Sequence, residues 1–357
     1  MKSPTIKHTR VPSASGGKVS LQRGLSLVEL MISITIGLLI LAALSTLFVN
    51  QSKTRAELDK SNRMIDNGRY ALEVLSDNLS LAGFYGDYDL SSGAPSVPDP
   101  LPSPCTTTVA GISAALQLAV QGYNALAQAS EIASLPTSPC GFTYTAGNNL
   151  SLKPGSDILV IRRASTAIPI IRDLAVTGTH YLQVSRCQHD AVPYIVSTTP
   201  ADFTLRTTGC SKDSPTPYAD LRNFMVQVYF VSPNNNTNPA DSIPTLKRYE
   251  LDPISNNFVT TPLVEGIEYM QIDYGLDTNT DGAPDSYFPA PAAADWPNVV
   301  AVKMNILARN TEPTKGYKDT KTYTLGSAGT FGPFDDEYKR HAYTKFIRLI
   351  NPAGRRE

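Results

Sequence analysis

The stretch RGLSLVELMISITIGLLILAALSTLFV, residues 23–49, decides the fold. From Leu30 to Val49 it runs twenty residues without a charge. At about 1.5 Å per helical residue, that length crosses the ~30 Å hydrocarbon core of a bilayer, so the spacing predicts a transmembrane helix. Glu29 stands at the edge of this run. A carboxylate drawn toward the bilayer centre costs about 2.5–3.5 kcal/mol, so an acid kept there calls for a dedicated role. The preceding residues 1–24 hold Lys2, Lys7, Arg10, Lys18 and Arg23 and no Asp or Glu. That bias keeps the leader cytoplasmic and sends the bulk of the chain across the membrane. A cleavable secretory signal fits poorly, because its apolar region is normally only ~7–15 residues and ends at a small-residue cut site.

The helix is expected to continue over residues 51–81. Leu58, Ile65, Leu72 and Leu79 recur seven apart, with Ala71 and Leu75 filling the same face and charges on the others. This is an amphipathic helix whose apolar stripe predicts that it lies on the chain's own sheet. Ala82-Gly83 and Gly86 end it. The implied rod of about 55 residues is some 80 Å long.

Gly24-Leu25-Ser26-Leu27-Val28-Glu29-Leu30, after a basic leader and before an uninterrupted apolar helix, resembles the class III signal of type IV pilins and pseudopilins. The resemblance implies cleavage between Gly24 and Leu25 by a prepilin peptidase, methylation of the new N-terminus, and the family's glutamate at mature position five on Glu29. Leu25 departs from the more usual phenylalanine. The chemistry is coherent. A new α-amine at Leu25, with an intrinsic pKa near ~8, is cationic, and an apolar setting strengthens its pull on Glu29 of the same or a neighbouring helix. By analogy with the family, that pairing sets axial register as subunits leave the membrane. An ordinary signal anchor with an interfacial acid is the simpler alternative.

About 300 residues follow the membrane segment, enough for a sizeable core. The net charge of −1 supplies no strong field for nucleic acid or anionic lipid. Four cysteines, Cys105, Cys140, Cys187 and Cys210, all lie after the helix and permit three pairings in an oxidising periplasm. Cys105–Cys140 with Cys187–Cys210 is favoured because each closes a short local loop. A metal site from Cys187, His189 and Cys210 would lack a second closely spaced ligand pair. Residues 83–150 read as a Pro-rich and short-helical loop region, with helical spacing over residues 112–132. Such a loop serves either as a flap over the sheet or as a recognition surface.

Strands are predicted at residues 157–163, 181–185, 224–231, 246–251, 267–276, 299–308 and 343–350, several with period-two alternation such as Val302, Met304 and Ile306. The first of these is an apolar run ending in charge, Arg162-Arg163. A long helix followed by a mostly antiparallel sheet is an α+β fold. SDILVIRR and the late TKFIRLINPAGRR resemble the larger minor pilins of the PilW type. The organisation read here is a leader at 1–24, a transmembrane and fibre-packing helix at 25–50, its amphipathic continuation at 51–82, the loop region at 83–150 and a periplasmic β-rich domain at 151–357.

Asp277, Asn279, Asp281, Gly282 and Asp285 follow the first half of a calcium loop, with oxygen ligands at alternate positions and glycine at the sharp turn. Position twelve is Phe288 rather than glutamate, so calcium would have to recruit another acid such as Asp273; the competing reading is a plain Asp/Asn/Gly turn. Catalytic signatures are missing: there is no GxSxG, HExxH or phosphate-cradling glycine loop, and Asp335-Asp336-Glu337 reads as a solvated loop. No cofactor is required.

The resemblance implies a minor pilin, not an enzyme: an inner-membrane, single-pass protein with a cytoplasmic N-terminus that later enters a surface fibre. Its implied partners are the prepilin peptidase, other minor pilins and the major pilin, the inner-membrane assembly platform and a tip adhesin. A minor pseudopilin of a type II secretion system shares the same N-terminus. A signal-anchored periplasmic binding domain shares only the helix.

Overall fold

The structure is a computed structural model that describes residues 24–88, 97, 99–126, 132, 135–136, 140–145, 147–211 and 218–356. The leader before Gly24, residues 91–96 and 98 of the proline-rich stretch and residues 127–131 of the stretch with helical spacing lie outside the described residues. The chain divides into two units, Met1–Ala56 and Glu57–Glu357.

One helix, α1 (Leu27–Ser80), runs through both units. Within the first unit every described residue is exposed. Within the second, α1 buries Met64, Gly68, Ala71, Leu75 and Leu79. That set advances by four, three, four and four residues, the stripe of a 3.6-residue helix rather than a strict heptad. Leu58, the first position of the predicted repeat, is therefore left exposed. Helix interiors disfavour glycine, yet Gly68 has a packing reason: a Cβ there would overlap the Tyr343 ring.

All paired strands are antiparallel. The larger sheet orders β1 (Val120–Tyr123), β2 (Ile158–Ala164), β5 (Leu221–Ser232), β3 (Tyr181–Val184) and β4 (Tyr194–Ser197), with β6 (Thr245–Leu251) on β5 and β7 (Phe258–Glu265) on β6. The smaller orders β13 (Arg340–Arg348), β10 (Val299–Arg309), β8 (Ile267–Leu276) and β9 (Ser286–Phe288), and a two-stranded flap pairs β11 (Tyr323–Thr324) with β12 (Thr330–Phe331).

Alternation along the strands separates two cores. Leu159 and Ile161 of β2, Tyr229 and Val231 of β5, Ile272 of β8 and Val302, Met304 and Ile306 of β10 pack with the buried stripe of α1. Ile158, Val160, Phe224, Val226, Val228 and Phe230 face the opposite way. There they meet Tyr85, Ile112, Leu116, Phe142 and both Cys105 and Cys140. Part of the described loop region thus covers the outer face of the larger sheet, while β1, from the same region, joins that sheet.

Two local expectations are corrected. The short helix expected in this loop is α2 (Val109–Ala114), capped by the Thr108 hydroxyl, but the helical spacing read on from residue 112 gives way to β1 among the described residues. Pairing with β2 wins over helical spacing here, and a Cβ at Gly122 would overlap the Tyr274 hydroxyl. Arg162 and Arg163 do not end β2 in solvent but are buried within it. Arg162 Nη2 donates to Gln121 Oε1 at 2.7 Å and Nη1 to the Leu118 carbonyl at 3.3 Å, tying β1 down. Burial without a carboxylate pushes this guanidinium down to about 10.

Candidate processing and assembly site

The residues singled out for processing sit where the chain enters α1. Gly24, Leu25 and Ser26 precede the helix, and nothing lies within 4 Å of a Cβ placed on Gly24. An uncovered, non-helical segment is open to a peptidase, and Leu25 offers 70% of its surface. Glu29 lies in the first turn of α1 and Oε2 accepts the Ser26 amide at 3.3 Å. This is the geometry of an acid at a helix N-terminus, where free N–H groups and the helix dipole favour negative charge.

From Leu30 to Val49 the helix is uncharged, with a mean hydropathy of 2.5 over an 18-residue window and no buried residue in that window. Three of its hydroxyls donate within the helix. Ser33 Oγ donates to the Glu29 carbonyl, Thr35 Oγ1 to Met31 and Thr46 Oγ1 to Ala43, each at 2.7–2.8 Å. Such back-bonding lets Ser and Thr enter hydrocarbon without an unpaired donor.

In the second unit the remaining predicted residues are placed as follows. Cys105 pairs with Cys140 and Cys187 with Cys210, so no described cysteine is free. The Cys187, His189 and Cys210 metal set is thereby ruled out: its two thiols bond each other, and the His189 amide donates to Cys187 Sγ at 3.4 Å.

The loop from Asp277 to Asp285 closes on itself. Asp277 is buried and accepts the Thr280 amide at 2.6 Å and the Gly282 amide at 3.0 Å, with Arg356 Nη1 at 3.4 Å. Burial pushes its carboxyl up, but those amides and the Arg356 charge hold it below the usual carboxylate range. Asp285 Oδ2 accepts both the hydroxyl and the amide of Thr278, which depress its pKa, and Asn279 Nδ2 bridges Asp281 and Asp285. Asp273 lies elsewhere, accepting the Ser327 amide. Among the described residues no three His, Cys, Asp or Glu side chains are grouped to hold a metal. Each of these side chains makes hydrogen bonds within the loop, as an Asp/Asn/Gly turn does.

The predicted solvated loop Asp335-Asp336-Glu337 needs a correction. Asp336 is bound to Arg340, whose Nη2 lies 2.6 Å from Oδ2. Arg340 also meets Glu268 at 2.5 Å and Asp319 at 2.9 Å, all three of them buried. Burial works against the charged guanidinium, but Asp336, Glu268 and Asp319 outweigh it and hold its pKa above the ordinary value. No local spacing announces this cluster, since its members come from β8, β13 and two loops up to 72 residues apart. Sequence reasoning missed it, and also Glu57, whose Oε2 accepts from Thr314 Oγ1 at 2.6 Å and Lys339 Nζ at 3.2 Å.

Comparison with known proteins adds to the geometry. The family model described as "Type IV Pilus-assembly protein W" matches residues 228–351, and that of the "Prokaryotic N-terminal methylation motif" matches residues 19–45. Among solved structures, the chain is similar to a type IV-like pilin, TTHA1219, from Thermus thermophilus, at 12% identity and a TM-score of 0.33, over 82% of this chain and 98% of that one. No curated protein matches the chain. The first match spans most of β5 to β13 with the start of a short helix, Ile350–Gly354, and the second spans Gly24, Leu25, Glu29 and much of the apolar half of α1.

Proposed function

We propose that this chain, a PilW-type pilin-like protein bearing the N-terminal methylation motif, is a minor pilin that primes or joins type IV pilus assembly after prepilin peptidase cleavage between Gly24 and Leu25. The single observation that carries the reading is the continuity of an uncovered Gly24-Leu25 bond, an acid five residues beyond the glycine and a fully exposed apolar helix. In the membrane, lipid covers that helix. In a fibre, the same surface packs against the helices of other subunits, so nothing new has to be exposed on transfer.

Cleavage places a cationic amine on Leu25. Four residues separate it from Glu29, about one helical turn, so the two are near enough to attract within one subunit or to be exchanged between neighbours. The β-rich unit then faces the other minor pilins, the major pilin and a tip adhesin, while the assembly platform acts at the inner membrane. The chain's part in this is structural: it is a substrate of the peptidase.

Intact-mass and N-terminal peptide analysis tests the reading, on sheared surface fibres and on membranes, with and without the prepilin peptidase. Protein in fibres beginning at methylated Leu25 is the expected result. Protein found only in membranes and still carrying the leader would discard it in favour of a signal-anchored domain. Processed protein absent from fibres would move the assignment to a type II secretion pseudopilin.

A further inference from the structure

The smaller sheet ends on β13, and one long side of that strand is unused. Leu349 N donates to the Val300 carbonyl and Asn310 N to the Lys339 carbonyl, which fixes the phase of the β10–β13 ladder. Antiparallel pairs alternate, so residues 341, 343, 345 and 347 bond β10 while the N–H and C=O groups of Ala342, Thr344 and Phe346 point off the sheet. No described backbone group pairs with these three. Thr344, Lys345 and Phe346 are exposed in succession, Phe346 at 61%.

Edges of this kind invite an added strand, and proteins usually blunt them. The blunting here is by charge alone, with no proline or bulge in the β10–β13 register between residues 340 and 348. The strand RHAYTKFIR carries only basic charges. Pairing with a second copy of itself would bring lysine and arginine side chains together, which is unfavourable. The same charge favours a strand of opposite sign. Along the edge the two faces also differ. Lys345 projects on one, while Phe346 projects on the other, where it meets the Tyr287 ring edge-on at 5.8 Å and the Lys303 ammonium at 5.6 Å.

We propose that β13 is a docking edge for an extended segment of another protein, one that alternates acidic and apolar side chains and adds a strand at Ala342, Thr344 and Phe346. Backbone hydrogen bonds supply the attachment, an acid beside Lys345 and an apolar group beside Phe346 the selection. The edge does not depend on how the N-terminus is processed, so it is tested separately from the pilin assignment.

The test uses the full chain in its host envelopes, with p-benzoylphenylalanine replacing Thr344 and, as a control, Ile254, which is 91% exposed on another strand connection. Irradiation, followed by mass mapping of the cross-linked peptide, is expected to join position 344 to an acidic, alternating segment of a different chain. Lys345→Glu should lower the yield at least tenfold, and Lys345→Arg should retain it. Lys345 is exposed, so neither change threatens folding, and denaturation followed through the single tryptophan, Trp296, checks this. Yield at 344 no higher than at 254, cross-links only to a second copy, a partner peptide lacking acidic residues, or indifference to Lys345→Glu would each overturn the proposal.

Discussion

The two halves of α1 are one continuous helix built for different solvents. Up to Val49 the helix carries leucine and isoleucine on every side and buries none of them. From Glu57 onward it carries charges on most sides and buries a single stripe of Met64, Gly68, Ala71, Leu75 and Leu79. An apolar residue therefore has opposite meanings along one element. In the first half its surface is left exposed, which under the proposed function serves lipid or other helices, and in the second it is already spent on the protein's own core. A matched pair of substitutions, one in each half, should separate the two roles.

The largest contrast is expected between Leu75→Ala and Leu39→Ala. Leu75 is fully buried, and truncating it leaves a cavity between α1 and the sheets at a cost of about 3 kcal/mol. Leu39 is 65% exposed, and its truncation should change unfolding by less than about 0.5 kcal/mol. Chemical denaturation of the full chain in detergent, followed by Trp296 fluorescence, reads both. That indole is buried in the second unit, edge-on to Tyr274 at 4.7 Å. Equal effects at the two positions would break the comparison.

The glycines give the next contrast. A Cβ on Gly68 meets the Tyr343 ring, which also donates its hydroxyl to the Ile65 carbonyl at 3.4 Å, whereas nothing lies within 4 Å of one on Gly37. Gly68→Leu should cost about 2 kcal/mol through overpacking, less if the ring swings aside. Gly37→Leu should leave Trp296 unfolding unchanged. The paired result would locate the constraint in packing rather than in helix propensity, since propensity alone favours leucine at both places.

These halves also mark what a sequence can disclose. The uncharged run of residues 30–49, Glu29 and the alternation of Val302, Met304 and Ile306 are patterns within a few turns or one strand, and the helix, its acid and β10 follow from them. The short strand β1 was hidden because VQGY resembles the helical spacing around it; its conformation is set by pairing with Ile158–Ala164, some 40 residues away. The Arg340 cluster was hidden for the same reason. Its carboxylates become neighbours only once β8 and β13 flank β10, and a run such as Asp335-Asp336-Glu337 looks like solvated loop until Arg340 is beside it.

The smallest effect expected, and the one that sharpens the comparison most, concerns the two glutamates that open the two halves. Glu29 has one described partner, the Ser26 amide at 3.3 Å. Glu57 accepts from Thr314 Oγ1 and Lys339 Nζ through Oε2, and from Lys60 Nζ at 3.1 Å through Oε1. The Thr314 hydroxyl, opposed by partial burial and aided by Lys60 and Lys339, holds the Glu57 carboxyl down to about 2. Because the folded state favours its ionised form, Glu57 adds stability that is fully present above about pH 4.5 and is lost as pH falls toward 2. The side chain is 31% exposed, so solvent screening keeps the contribution near about 1 kcal/mol at neutral pH, and added salt should reduce it. Glu57→Gln should therefore be less stable than the parent at pH 7, and the two should converge as pH approaches 2. Glu29→Gln should show no difference in Trp296 unfolding at any pH, while under the proposed function it removes the acid that pairs with a processed Leu25 amine. A pH-dependent loss of folding stability at position 29, or none at position 57, would mean that the two halves do not divide assembly from folding in this way.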